Sequence, residues 1–311
     1  MGCYERTAPL PAGARVLRRG ESGYPPMLVD PRLNVDPLWA IGVDLADLGP
    51  SVGIVGTRRA TPYGLDVSGR LARDLASAGI CVVSGLALGI DAAAHEGALR
   101  AGGLTVAVLG SGVDVPYPMD NARLYRRIVE TGAILAEVPP GADPRKEHFP
   151  SRNRIIAGLS HALVFVQGRA GRSGAFGTAM RAHELDRDVM VVPGDVRATM
   201  SSGPHAILKE GWGHPCTSAQ DVLDMLGETL NWDKPREEAR AIPPTLPEPQ
   251  RRVLAALEEG PGSMDLLASV TGLDPRELVL ALADLELAGF VRRVPDGRYA
   301  RPSDPRSLTH P

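Results

Sequence analysis

Short apolar runs alternate with amphipathic stretches through the middle of the chain. Most of these runs are about four to six residues long and rich in β-branched residues, which is typical of buried strands. In the first intervening stretch, Val67, Leu71 and Leu75 fall on one face of a predicted helix, and Gly79 stands where a C-terminal cap belongs. The apolar runs lie at residues 52–55, 80–83, 104–109, 133–135, 162–166 and 189–192.

The alternation of strands and helices predicts the fold class. Strands joined through helices form right-handed crossovers and a mostly parallel sheet. We therefore expect a doubly wound, Rossmann-like α/β domain over residues 49–229. In such a sheet ligands bind at the carboxyl ends of the strands, so candidate chemistry is expected there.

The flanking segments differ in composition from this central region. Residues 248–302 contain three helical patterns followed by a hairpin pattern, which predicts a small C-terminal winged helix-turn-helix domain. Its third helix begins with the N-cap pair Asp274-Pro275 and carries a leucine stripe. The other expected segments are an irregular N-terminal lead-in (1–48), a proline-rich linker (230–247) and a disordered tail (303–311).

Composition limits the classes of function. The 311 residues carry a formal net charge of −3 and a pI of about 6.2, so any nucleic-acid binding must rest on a local basic patch. The three cysteines have neither disulfide nor metal-ligand spacing, and we expect no metal site. Because no run approaches the roughly 18 apolar residues that span a bilayer, we expect no membrane contact and a cytoplasmic location.

Glycine, serine, threonine and arginine follow nearly every predicted strand. Glycine lets backbone amides approach an anion, a helix N-terminus adds oriented donors, and arginine offers a bidentate fork for phosphate. Between residues 146 and 181, six Lys or Arg residues stand against one acid, Glu147. These features predict phosphate binding at one edge of the sheet. The segments concerned are 56–59, 84–91, 110–112, 149–154, 168–178 and 192–194.

Each of these features also has an ordinary structural explanation. Asp91 and His95 are four positions apart and fit a capping or packing pair as well as a functional one. Phe149 fits the hydrophobic core, and Arg152 with Arg154 fits a solvated helix face. The combination of these residues at one sheet edge, rather than any single residue, favours a binding site.

An ordered series of motifs resembles one known family. The motifs are Gly56-Thr57-Arg58, SGLALGIDAAAH from Ser84, LGSGVDVPYP from Leu109, FPSRNRIIAGLS from Phe149, SGAFGTA from Ser173 and VPG from Val192. Over about residues 20–215 the chain resembles the DNA-processing protein A (DprA/Smf) family, many members of which carry a C-terminal winged helix. The resemblance implies single-stranded DNA binding, loading of the RecA recombinase in natural transformation, and a homodimer formed through the Rossmann-like domain.

The resemblance also assigns roles to particular residues. It implies an anion-binding role for Gly56, Thr57 and Arg58, and it places Ser173 and Gly174 near the pocket. An aromatic face in such a site contributes about 1–3 kcal/mol per stacked base. Contacts with the DNA backbone and bases are implied for Lys146, Phe149, Arg152, Asn153 and Arg154.

Two features depart from the family pattern. The lead-in is shorter than the N-terminal helical module that many members carry, so any role of that module is absent or supplied elsewhere. The glycine segment reads SGAFGTA where the family usually has a second serine, and Ala175 therefore removes one hydroxyl donor.

Two other classes of function remain as alternatives. A nucleoside-monophosphate phosphoribohydrolase uses the same Rossmann variant, but Arg181 stands at its catalytic glutamate position and Glu184 lies out of register. A winged-helix regulator would read duplex DNA, yet the predicted recognition helix sets three acids against Arg276, which leaves only a weak duplex contact through the arginine-rich wing. Since the chain lacks a dinucleotide fingerprint and a phosphate-loop lysine motif, we predict a binding protein with neither catalytic residues nor a cofactor.

Overall fold

The chain forms two compact units, Met1–Lys234 and Pro235–Pro311. The computed structural model describes residues 10–46, 48–171, 173–230, 246–257, 260, 262–287, 290–293 and 297–300. Most of the predicted linker (230–247) and all of the predicted tail (303–311) therefore lie outside the described residues.

A nine-stranded sheet forms the centre of the first unit. Its strands are β1 (Ala14–Leu17), β2 (Leu38–Gly42), β3 (Ser51–Val55), β4 (Cys81–Ser84), β5 (Thr105–Leu109), β6 (Ala133–Ala136), β7 (Ala162–Phe165), β8 (Asp188–Val191) and β9 (His214–Pro215). They are ordered β1-β2-β6-β5-β4-β3-β7-β8-β9. The two pairings made by β2 are antiparallel and those from β6 to β9 are parallel. The six strands predicted from apolar runs are present, and the predicted fold class is confirmed.

Helices cover both faces of this sheet. They are α1 (Pro62–Ser77), α2 (Ile90–Arg100), α3 (Ala122–Thr131), α4 (His148–Gly158), α5 (Gly174–Glu184), α6 (Ser202–Glu210) and α7 (Ala219–Leu230). Successive strand residues point to opposite faces, so Val106 and Val108 join one core cluster with α4, α5 and α6. Ala107 and Leu109 join another cluster with α3, on the face that α1, α2 and α7 also cover.

The N-terminal segment corrects one prediction. We expected residues 1–48 to form an irregular lead-in, but the described part of that segment contributes β1 and β2 to the sheet. Leu28, Leu33 and Leu38 are buried, and the absence of a side chain at Gly158 lets α4 approach the first two of them closely. The segment is therefore part of the domain core. Pairing between β2 and β6 is long-range and leaves no periodic signal in the local sequence.

The direction of strand addition reverses between β3 and β7. From β3, the strands β4, β5 and β6 extend the sheet one way, whereas β7, β8 and β9 extend it the other way. The helices that follow β3 and β7 pack on opposite faces, α1 on one and α5 on the other. The two connections consequently separate and open a crevice at the carboxyl ends of the strands, where doubly wound folds bind ligands.

The second unit has its own small core. It contains α8 (Glu248–Ala256), α9 (Met264–Thr271), α10 (Pro275–Leu287) and an antiparallel pair, β10 (Arg292–Arg293) with β11 (Tyr299–Ala300). The Asp274 carboxylate caps α10 by accepting hydrogen bonds from the N–H groups of Arg276 (2.8 Å) and Glu277 (3.0 Å). These elements confirm the predicted winged helix-turn-helix.

Candidate functional site

A pocket of about 370 Å³ opens at the crevice between the ends of β3 and β7. Its lining comes from the segment after β3, from α4 and from the N-terminus of α5. Two sequence-predicted residues, Lys146 and Arg154, lie outside the lining. The predicted residues that the structure brings together in the pocket are Gly56, Thr57, Arg58, Phe149, Arg152, Asn153, Ser173 and Gly174.

The backbone amides of Gly56 and Thr57 are used within the protein. The Thr57 N–H donates to the Gln167 carbonyl (2.7 Å), and the Gly56 N–H donates to the Asp91 carboxylate. A Cβ on Gly56 would lie 2.4 Å from Cγ1 of Ile90, so glycine is required there by the packing of α2. We predicted that glycine at this turn exposes its amide to an anion; the structure instead assigns both amides to internal acceptors.

Arg152 and Asp91 form a buried, oppositely charged pair beneath the pocket, with exposed fractions of 6% and 5%. Nη1 of Arg152 donates to the carbonyls of Gly85 (2.6 Å) and Val108, so its guanidinium ties the ends of β4 and β5 together. A Cβ on Gly85 would lie 2.4 Å from that guanidinium. The predicted solvated or phosphate-gripping arginine is therefore mainly a structural cross-link whose charge lies at the pocket floor.

The ionisation of this pair follows from its burial. Burial lowers the pKa of the Arg152 guanidinium to about 10, and the Asp91 carboxylate opposes the shift. Burial also raises the pKa of Asp91, against the effects of Arg152 and of the N–H groups of Gly56, Gly85 and Ala87. Arg152 remains a cation at neutral pH, and the Asp91 carboxylate fixes the turns around the pocket.

Ser173 and Asn153 organise the N-terminus of α5. The Ser173 Oγ accepts from the Phe176 N–H (3.1 Å) and donates to the Arg169 carbonyl (2.8 Å), so it is the N-cap of the helix. Nδ2 of Asn153 donates to the Gly174 carbonyl (3.2 Å), and Oδ1 of Asn153 accepts from Nε of Arg152 (2.9 Å). These contacts fix the first turn of α5 against the pocket, where the helix dipole adds about half a positive charge.

Arg154 and Lys146 lie apart from the pocket. Arg154 forms a two-pronged ion pair with Glu137, through Nη1 to Oε2 (2.8 Å) and Nη2 to Oε1, and thus joins α4 to the segment after β6. Lys146 is exposed in the connection before α4. Of the two, Lys146 has the position of a solvent-facing cation, while the Arg154 charge is neutralised by its partner.

Two exposed arginines, an exposed tyrosine and the half-buried Phe149 border the pocket. The Arg58 Cζ lies 5.2 Å from the Phe149 ring centroid, a cation–π contact, and Arg59 is exposed beside it. The Tyr117 ring lies 5.7 Å from Phe149, centroid to centroid, with 42° between the ring planes. Sequence reasoning missed Arg59 and Tyr117 as site residues, although both lie inside or beside the quoted motifs.

His95 belongs to the core behind the site and does not bond to Asp91. The Thr105 hydroxyl donates to the Val82 carbonyl (2.7 Å), so it accepts from Nδ1 of His95 (2.7 Å), which fixes the proton on Nδ1. Nε2 of His95 is buried without a hydrogen-bond partner among the described residues. Burial, with a smaller effect of the Arg152 charge, lowers the pKa of His95 to about 3. Asp91 and His95 therefore do not form a pair: Asp91 accepts hydrogen bonds from turn amides, and His95 packs in the core.

The described residues contain neither a cluster of metal ligands nor a membrane-spanning helix. Within the described ranges, His, Cys, Asp and Glu side chains form no cluster of three or more that could hold a metal ion. None of the helices in that part of the chain is both long and apolar enough to cross a membrane.

The fold and the site together define a Rossmann-like protein with a cationic pocket at the strand ends and a separate winged-helix unit. Family models match both units: DNA recombination-mediator protein A over residues 15–227, and the DprA winged helix domain over residues 237–297. The chain belongs to the DprA/Smf family, as its motifs suggested.

Individual relatives support this assignment. The chain is 41% identical over 267 residues to the putative DNA processing protein DprA of Mycobacterium tuberculosis, covering 84% of this chain and 67% of that protein. It is 35% identical over 284 residues to Protein Smf of Escherichia coli, covering 89% and 75%.

Two solved structures of DNA processing protein A are similar to this one. The Streptococcus pneumoniae protein gives a TM-score of 0.62 at 38% identity, over 68% of this chain and 73% of that chain. The Helicobacter pylori protein gives a TM-score of 0.61 at 30% identity, over 69% and 96%, and its structure concerns a single-stranded DNA binding mode.

Proposed function

We propose that this chain binds single-stranded DNA at the strand-end pocket and holds it without changing it chemically. The observation that carries the proposal is that exposed cations and a half-buried aromatic ring meet at one crevice: Arg58 and Arg59 border the pocket beside Phe149. Arginines suit phosphates, and an aromatic face suits an unpaired base.

The electrostatics of the pocket favour an anion. The Arg152 charge at the floor, the exposed Arg58 and Arg59, and the N-terminus of α5 act from different sides of one cavity. Asp91, the acid in the lining, faces backbone amides and Arg152. The local potential is therefore positive although the whole chain carries a net charge of −3.

A preference for single strands follows from the same geometry. In a duplex the base faces are stacked on one another, so a ring such as Phe149 gains nothing from them. The crevice is also a concave pocket rather than a surface that follows a groove. The single-stranded DNA binding mode described for the Helicobacter pylori relative supports this choice of ligand.

We infer that the bound strand is passed to a RecA recombinase in the cytoplasm, as expected of a recombination mediator that handles DNA during transformation. A homodimer would carry two pockets on one strand and increase avidity without any new contact.

Catalysis is not part of the proposal. Hydrolysis of a nucleoside monophosphate needs a carboxylate free to act at the ribose, and the Asp91 carboxylate is already committed to backbone amides. At the position of the hydrolase glutamate, Arg181 pairs with Glu184 (2.7 Å). Release of ribose 5-phosphate from nucleoside monophosphates by the purified protein would contradict this view.

The winged helix is assigned an accessory role. On α10 the exposed charged side chains are Arg276 against the acids Glu277, Asp284 and Glu286, which opposes approach to a duplex. Four arginines belong to the predicted wing. Arg293 is exposed and lies over the Tyr299 ring at 5.9 Å, and Arg298 is half-buried; the side chains of Arg292 and Arg301 lie outside the described set. A weak duplex contact through the wing remains a secondary proposal.

A salt titration with matched oligonucleotides tests the main proposal. Full-length protein should bind a single-stranded oligonucleotide more tightly than the same sequence as a duplex. Phe149→Ala should weaken single-strand binding by about 1–3 kcal/mol with an unchanged salt slope, because stacking releases no counterions. Equal affinity for single strand and duplex would refute the assignment.

A further inference from the structure

A second aromatic ring, Tyr117, stands next to Phe149 on the exposed side of the pocket. The residue is 38% exposed although its ring contacts Phe149, with centroids 5.7 Å apart. It lies outside the set of residues that line the cavity, so the pocket itself does not explain its position. Surface aromatic rings that are partly exposed beside a cationic site are suited to stacking on bases.

The loop that carries Tyr117 is held rigidly on several sides. The Ser111 hydroxyl donates to the Val115 carbonyl (2.7 Å), and the Tyr125 hydroxyl donates to the Val113 carbonyl (2.5 Å). The Asp114 carboxylate accepts from the Gly141 N–H (2.7 Å). A ring presented by such a fixed loop loses little conformational freedom when a ligand covers it.

The angle between the rings limits what they can bind. The planes of Tyr117 and Phe149 differ by 42°, so one flat base cannot lie parallel to both. Stacking on both rings therefore requires two different bases. The arrangement differs from a single aromatic slot, because it offers two rings whose planes point in different directions.

We propose that Tyr117 is a second base-stacking residue, so that one single strand places one base on Phe149 and another on Tyr117 while its phosphates meet Arg58 and Arg59. This inference rests on the proposed function and extends it from one base contact to two. The ligand class is an unpaired, flexible strand, because bases stacked in a duplex cannot follow two planes that differ in direction.

Three substitutions at Tyr117 separate stacking from simple apolar contact. With an oligothymidylate as the probe, Tyr117→Ala and Tyr117→Leu should each weaken binding about 5- to 150-fold, and Tyr117→Phe should stay near wild type. The salt slope should be unchanged in all three. Unchanged thermal unfolding midpoints will show that the loop is intact. Wild-type affinity in Tyr117→Leu would overturn the proposal.

A double-mutant cycle excludes the simpler role in which Tyr117 only supports the Phe149 ring. If each ring holds its own base, Tyr117→Ala still weakens binding once Phe149 is alanine, although two rings in contact need not give fully additive free-energy losses. If Tyr117 only supports Phe149, its substitution has no further effect once Phe149 is alanine, and the proposal is wrong. Photocrosslinking of an oligonucleotide containing 5-iododeoxyuridine should label the Tyr117 peptide; labelling that reaches Phe149 but never Tyr117 counts against it.

Failure of this inference is distinguishable from failure of the proposed function. If the wild-type protein binds the probe, Phe149→Ala weakens binding and no Tyr117 substitution does, the proposed function stands and the second stacking residue is rejected. If the wild-type protein binds no single-stranded probe, both the proposed function and the second stacking residue are rejected.

Discussion

Replacement of Arg152 by methionine should destabilise the first unit rather than merely weaken DNA binding. The substitution keeps a long side chain but removes a guanidinium that is 6% exposed. It leaves the carbonyls of Gly85 and Val108 without their donor and leaves the Asp91 carboxylate without its cation. Removing one partner of a buried charge pair costs about 3–5 kcal/mol. That loss is a large fraction of the roughly 5–15 kcal/mol by which a domain is stable.

Urea unfolding followed by tryptophan fluorescence measures this effect. Trp39 and Trp212, two of the three tryptophans of the chain, belong to the first unit, so their fluorescence follows the unfolding of that unit. Arg58→Ala is the matched control, because it removes an exposed arginine from the same pocket and should change stability by no more than about 0.5 kcal/mol.

The two roles of Arg152 predict opposite results. A structural cross-link predicts a lower urea midpoint for Arg152→Met and, at temperatures where the variant remains folded, little change in salt slope. A direct phosphate contact predicts near-normal stability and a slope lower by about 0.7. The second result would show that Arg152 contacts the strand directly and that its buried hydrogen bonds add little to stability.

Three further outcomes are expected. Arg58→Ala should weaken single-strand binding and lower the salt slope by about 0.7, measured by fluorescence anisotropy; an unchanged slope would remove Arg58 from the phosphate contacts. The pKa of buried His95 is lowered to about 3, so below pH 6.5 this imidazole is protonated in the unfolded chain but stays neutral in the folded chain. Stability should therefore fall on acidification, by about 2 kcal/mol between pH 6.5 and 5 for this group, and His95→Asn should show a shallower pH dependence of the urea midpoint. Removal of residues 235–311 should leave single-strand affinity unchanged, because the pocket lies wholly in the first unit; loss of binding would assign the winged helix a direct part.

The central sheet and the place of the pocket could be predicted from the sequence. Each of the six predicted strands contains a short apolar run whose end is marked by small or polar residues, and both signals are local. The reversal of strand order then places the ends of β3 and β7 side by side, which brings Arg58 near Ser173. The motifs of the family gave the same location independently.

The roles of the individual arginines could not be read from charge alone. Arg152 and Arg154 stand two positions apart, yet one is buried and the other is paired with Glu137 at the surface. The helical period of α4 does distinguish the buried arginine from the other one. Arg152 precedes Ile155 and Ile156 by three and four positions and so shares their buried face of α4. The carbonyl groups that accept its hydrogen bonds lie at strand ends far away in the sequence, so no local pattern predicts them.

The antiparallel pairing of β2 with β6 has a consequence for how the protein is made. Trp39 lies opposite Ala136, so β2 can pair with β1 early but cannot pair with β6 until the sixth strand has been synthesised. On a ribosome, Leu28 and Leu33 are without their partner α4 for longer still. Closing so long a loop is slow compared with local helix formation. We expect docking of the N-terminal segment to be a late step in folding, after the parallel strands have assembled.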